Sequence, residues 1–416
     1  MLFLPEQPPY HYFRRRLPCL KGIIYLFPLT DNPNNHIICQ PIVQPYLHPY
    51  AIYDKIISSF AVITNINSKD KWKMKINNLF RYRNVWMGIA ILMVIFFHSE
   101  IKFNSIILST LQEFGYGGVD IFMFASGIGC YYSLQKNSDA AEFMKRRALK
   151  IMPIYLYFIV FWLLYKRLFF DMPITAIVGN LFGVQNFTGR GLEFNWYISA
   201  MWLMYLLAPF FASLAAKLNR PRSVFGAMSV LLLFTASFWY SYTYIISVAR
   251  IPIFFLGMLV AKKALDGYEI EKRQVYLSFV VSILSAAILI VLNGKLTGDR
   301  MWLLGLLWYP FIAIVPGLCL GISLLCELLE KSKVGTYFVK MFASLGTKTF
   351  SIYLIHIFVL DIFANMIVAK GLCQDTNLNR LLLILPIALG CVLLEWAGKL
   401  LQKTMTTRKE NSYVER

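Results

Sequence analysis

From Asn84 onward the chain is a succession of apolar runs of about 18–25 residues, separated by short polar loops. That is the length at which a helix crosses the hydrocarbon core of a bilayer. Lipid offers backbone N–H and C=O groups no partner, so a spanning segment must be a helix or a strand of a closed barrel. A barrel needs shorter, alternating segments, and these runs are continuous. The fold expected is therefore all-α, a polytopic bundle of about ten transmembrane helices. The spans fall near 84–101, 117–135, 153–170, 196–216, 223–243, 245–262, 275–293, 301–326, 350–369 and 379–402. A shorter piece at 174–187, interrupted by Gly179, Asn180 and Gly183, is expected to be re-entrant or interfacial.

Composition agrees. Only 15% of residues are charged, against roughly 25% in soluble domains. Net charge is +19, yet no soluble basic domain is present to hold a duplex, so nucleic acid is not an expected partner. Lys and Arg instead gather in alternate loops: 71–83, 136–152, 217–222, 262–273, 327–349 and the tail. The bias of cations to the cytoplasmic side then puts both termini in the cytoplasm of a multi-pass cell (inner) membrane protein. Membrane lipids are the immediate partners.

Residues 1–73 differ. Prolines crowd the first 50 positions, and the best apolar stretch, GIIYLFPL, is too short to span. The segment is expected to be a disordered, surface-bound or non-native extension, with Met74 a plausible natural start. The transmembrane domain then covers 74–404 and a cytoplasmic tail 405–416. His36, Cys39 and His48 lack a fourth ligand, so no metal site is expected. The cysteines are scattered without a C-x-x-C pair, and no disulfide framework is expected.

Four sets of residues could carry chemistry. His98 stands ~20 Å along the first span from its cytoplasmic end, in the outer half. It is either a general base or a structural histidine bonded to a neighbouring helix. Arg146, Arg147 and Lys150 share a helical face before Pro153, which would kink the third span or start it anew. They are either a membrane anchor or a cradle for a polyphosphate. Asp120 and Ser126 are polar groups in the apolar helix following Gly115, Gly117 and Gly118. Arg250, Tyr353, His356, Asp361 and Glu395 lie inside predicted spans and suggest a polar bundle interior. No Walker A, G-x-S-x-G or H-E-x-x-H pattern occurs.

GIAILMVIFFHS, GGVDIFMFASG, FMKRRALKIMPIY, WYISAMWLMYLLAP, RIPIFFLG and FSIYLIH occur in that order. Together they resemble the motifs of the membrane acyltransferase-3 family, whose members O-acylate surface polysaccharides, lipid-linked sugars and some small molecules. Three positions depart from the family pattern. Met87 stands where many members have Arg, with Arg83 one turn earlier; Lys150 replaces a third Arg; and Met201 replaces a Glu.

The resemblance implies a cytoplasmic acyl-CoA donor, most often acetyl-CoA, and a carbohydrate or lipid-linked saccharide acceptor. It implies catalysis by His98, with Asp120 and Ser126 assisting, and donor phosphates held by Arg83, Arg146, Arg147 and Lys150. Arg250, Tyr353 and His356 serve the substrate or the structure. A transporter or flippase for an anionic or lipid-linked solute would use the same cations without chemistry, and an assembly protein would need neither them nor His98.

Overall fold

The computed structural model describes residues 73–170, 174–188, 196–295 and 305–414. The expectations for the extension up to residue 72, and for His36, Cys39 and His48 within it, lie outside the described residues. Among the described residues, two three-residue strands, Lys73–Lys75 and Glu269–Glu271, accompany what is otherwise helix. Seven helices among the described residues are long and apolar enough to cross a membrane. They are Ala140–Phe169, Trp196–Lys217, Thr243–Leu265, Lys272–Asn293, Phe311–Leu329, Thr349–Val368 and Asn377–Gln402. Arg83–His98 and Pro221–Ala236 are shorter apolar helices, and Gly118–Lys136 is a helix of 19 residues in the position of the second expected span.

In chain order, helix α1 is Arg83–His98, α2 Gly118–Lys136, α3 Ala140–Phe169 and α4 Ile174–Leu181. Next come α5 Trp196–Lys217, α6 Pro221–Ala236, α7 Ile251–Leu265, α8 Lys272–Lys295 and α9 Phe311–Leu329. The last are α10 Lys333–Thr347, α11 Thr349–Ile362 and α12 Ile384–Val414.

The bundle is centred on α2 and α7. Most of their residues are buried, as in helices surrounded by protein. The apolar window of Thr243–Leu265 is 83% buried, whereas that of Lys272–Asn293 is only 17% buried and leaves α8 at the periphery. Glycine brings the central helices together. A Cβ at Gly127 would strike the Phe254 carbonyl of α7, and one at Gly257 would strike the Phe124 carbonyl of α2. Gly88 of α1 and Gly346 of α10 make the same reciprocal approach, to Phe342 and Asn84. Without a hydrophobic drive between helices in lipid, such close backbone packing is what holds a bundle. Trp86 completes the core. It is 2% exposed, and its indole N–H donates to Ser323 Oγ of α9 at 2.9 Å.

The helices α1 and α2 run antiparallel. Gly118, at the start of α2, packs on Ala90 and Val94, while Arg83, at the start of α1, reaches Ala125. Each end of α1 therefore meets a different part of α2, and the site is built on that pair.

Two expectations are refined. The third span does not begin at Pro153. Helix α3 starts at Ala140, capped by Asp139, which accepts from the Glu142 amide at 2.9 Å, and it passes through Pro153 unbroken to Phe169. A proline costs a helix one backbone bond and a local clash, and the long apolar stretch after it packs well enough to outweigh that. The 174–187 segment holds only the eight-residue α4, ~12 Å long and too short to cross. The chain turns back at Gly183, whose φ of +69° suits glycine, into a 3-10 turn at Gln185–Phe187.

Candidate active site

At the far end of α1, two histidines meet. His98 is the last residue of that helix. Its Nδ1 lies 2.9 Å from the Val94 carbonyl oxygen. A carbonyl only accepts, so Nδ1 carries a proton, and in the neutral ring Nε2 is the basic atom. His356, fully buried on α11, repeats the arrangement, its Nδ1 lying 3.1 Å from Ile352 O. Its Nε2 lies 3.4 Å from His98 Nδ1, and the ring centroids are 5.3 Å apart. Aromatic rings wall the pair: Phe97 against His98 at 4.9 Å, Tyr353 against His356 at 5.6 Å, and Tyr197 of α5 against Tyr353 at 4.8 Å.

A second polar centre joins α2 to the residue preceding α7. Asp120 and Arg250 are each 1% exposed, with Arg250 Nε 3.6 Å from Asp120 Oδ1. The guanidinium donates from Nη1 to Ile246 O at 2.6 Å and lies between the faces of Trp308, at 4.6 Å, and Trp196, at 5.1 Å. Asp120 sits in the first turn of α2, where the helix dipole favours a carboxylate. Its Oδ2 has no hydrogen-bond partner among the described residues.

The near end of α1 carries the cations. Arg83 Nε donates to Ala125 O at 3.1 Å, and Arg147 Nη2 donates to Gly129 O at 3.1 Å. Arg147 also covers the rings of Phe143 and Tyr205, at 5.1 and 5.5 Å. Lys150 is within electrostatic reach of both arginines. Arg146 Nη2 is buried without a hydrogen-bond partner among the described residues. Among those residues no carboxylate pairs with any of these four cations. Like charges gathered without a carboxylate repel one another, and a bound anion would relieve that. The sequence pattern 146–150 thus gains Arg83 as a neighbour through α2.

The fifteen residues separating Arg83 from His98 correspond to ~22 Å of helix. Ser126 follows Ala125, the residue that receives Arg83, so it stands at the level of the cations and is not brought to His98. Asp361 is one turn beyond His356 and is fully engaged. It receives Lys166 at 3.1 Å, Tyr165 at 2.8 Å and Asn365 at 3.1 Å. Glu395 accepts from Ser351 Oγ. These last two are structural links between α11 and its neighbours α3 and α12.

Sequence reasoning missed Trp196, Trp308 and Tyr197, because aromatic residues are common in any bundle. It also missed Arg380. Its side chain donates to Asp375 Oδ2 at 2.8 Å and to Ser99 O at 3.0 Å, and lies 3.0 Å from Glu100, clamping the chain just after His98. The positive φ of Glu100, 52°, marks the same spot.

A family model described as an acyltransferase domain matches residues 84–396. That range begins one residue after Arg83 and takes in the rest of α1, the ion pair and the histidine pair. No significant match is found among curated proteins or solved structures. The chain belongs to the acyltransferase-3 family and is a multi-pass membrane protein.

Proposed function

We propose that this acyltransferase moves an acyl group, most often acetyl, from a cytoplasmic acyl-CoA to a hydroxyl of a carbohydrate acceptor. The acceptor is a surface polysaccharide or a lipid-linked saccharide. The single observation that carries the reading is the division of labour along α1. Cations without carboxylate partners among the described residues cluster at one end, and a histidine oriented through Nδ1 by a backbone carbonyl stands at the other.

Arg83, Arg146, Arg147 and Lys150 hold the donor phosphates by charge-assisted bonds. The pantetheine arm follows α1 toward His98, passing Ser126 on the way. His98 Nε2 takes the proton of the acceptor hydroxyl as its oxygen bonds to the thioester carbon. The C–S bond then breaks, and the proton passes from Nε2 to the departing thiolate. The products are the ester and free CoA thiol, and His98 is restored. Arg250, held by Asp120, fixes Trp196 and Trp308 beside the site and supplies positive charge toward the developing oxyanion. Tyr353 lines the acceptor side.

Ten crossings with both termini in the cytoplasm suit this arrangement, because the alternating loop charges put the start of α1 on the side where CoA is found. Labelled acetyl-CoA supplied to membranes containing the protein tests the reading. Label should appear in a glycan or lipid-linked saccharide, and its appearance only as hydrolysed acetate would refute the acceptor class.

A further inference from the structure

We infer that His356 is a positioning residue for the His98 base, acting as a neutral hydrogen-bond acceptor behind it; the inference rests on His98 being that base. Both imidazoles spend Nδ1–H on the carbonyl of the residue four positions back, Val94 for His98 and Ile352 for His356. Those carbonyls fix both tautomers, since neither can donate. The lone pair of His356 Nε2 therefore faces the Nδ1–H of His98 across 3.4 Å. His98 Nδ1–H is shared between a carbonyl and a second imidazole, and the ring is held with Nε2 as the basic atom.

The contact is longer than an ordinary hydrogen bond. It shortens when it matters. As Nε2 takes up the acceptor proton, the His98 ring becomes a cation and Nδ1–H becomes a stronger donor. Charge-assisted bonds are shorter and about twice as strong. His356 exchanges no proton. It does with a neutral nitrogen what a buried carboxylate does behind the histidine of a Ser-His-Asp triad, holding tautomer and orientation and stabilising the imidazolium. The ring cannot turn away easily: His356 is fully buried, Tyr353 packs on it, and Tyr197 packs on Tyr353.

The test uses the full-length protein in membranes, acetyl-CoA as donor, and four variants compared at saturating acceptor. His356→Phe keeps size and burial and removes the acceptor; kcat should fall roughly tenfold to a hundredfold, the lower part of the range for acid–base assistance, with donor KM unchanged. His356→Gln can place its amide oxygen near the former Nε2 and should recover most of kcat. His356→Asn is equally polar but one methylene shorter, and should stay low, so the Gln–Asn contrast decides the matter even where the Phe variant fails to fold. Equal kcat for the Gln and Asn variants, or a His356→Phe variant matching the unsubstituted protein, would overturn the positioning role. His98→Ala in the same assay separates the two claims. If it stays active, the base assignment itself is wrong; if it is dead while His356→Phe is normal, only the role of His356 is lost.

Discussion

The two ends of α1 are solved differently. At the far end the polar groups meet groups that complement them: His98 and His356 share a proton donor and acceptor, and Asp120 faces Arg250 beside two tryptophans. At the near end Arg83, Arg147 and Lys150 face one another with backbone carbonyls and aromatic rings, rather than carboxylates, for company. A compensated centre is rigid before substrate arrives, as electrostatic catalysis requires. An uncompensated one is completed by its ligand. The proposed division between chemistry at one end and binding at the other rests on that difference.

That contrast breaks first at His98. His98→Ala should lower acyl transfer by about 10²–10⁴-fold, read as kcat in membranes, while the protein still inserts. A loss under twofold would remove the far end from the chemistry.

Next in size is the buried ion pair. Removing one member of such a pair leaves an unpaired buried charge and costs about 3–5 kcal/mol. Asp120→Ala and Arg250→Met should each lower the thermal unfolding temperature of the detergent-solubilised protein sharply. The double variant should recover part of the loss, because no charge is then stranded. Equal and additive losses would mean that the two groups do not depend on each other.

The near end should respond in binding alone. Arg147→Ala removes a charge-assisted contact worth about 1.5–3 kcal/mol, so donor KM should rise roughly tenfold to a hundredfold with kcat little changed. A normal donor KM would return the cluster to the role of a membrane anchor.

How much of this was legible in the sequence depends on the range of each interaction. Spans are local, and the apolar runs located a helix at each expected position. His98, Asp120 and Arg250 stood out because a polar group in an apolar run is conspicuous by itself, and the 146–150 cluster because its cations share one helical face. Which of them would pair did not. His98 and His356 are separated by 258 positions, and no local pattern announces which of several buried polar residues will meet. The start of α3 differs from expectation because Pro153 is a local stop signal, whereas helical continuity there is decided by packing along the whole of Ala140–Phe169. Arg380 escaped notice for the opposite reason: a cation at the edge of a span is ordinary until its partners, Asp375 and the chain beside His98, are seen.

The smallest effect concerns that clamp. The hydrogen bonds from Arg380 hold the Asp375 carboxyl below its ordinary range. A depressed folded-state value means that the stabilisation is present above the ordinary carboxylate range and is lost as pH falls through the lowered value. Asp375 is partly exposed, so the effect is modest. Protection of residues 99–103 against hydrogen exchange, taken relative to the unstructured rate at each pH, should fall in acid and be low at all pH in Asp375→Asn. Exchange indifferent to both would show that the clamp does not order the chain beyond His98.

The central claim is that binding and chemistry occupy opposite ends of one helix. Equilibrium binding of CoA to the purified protein tests it most directly, with His98→Ala and Arg147→Ala measured beside the unsubstituted chain. The account predicts an unchanged Kd for His98→Ala and a rise of roughly tenfold or more for Arg147→Ala. Weakening of the two variants by the same factor, or no weakening in Arg147→Ala, would contradict it.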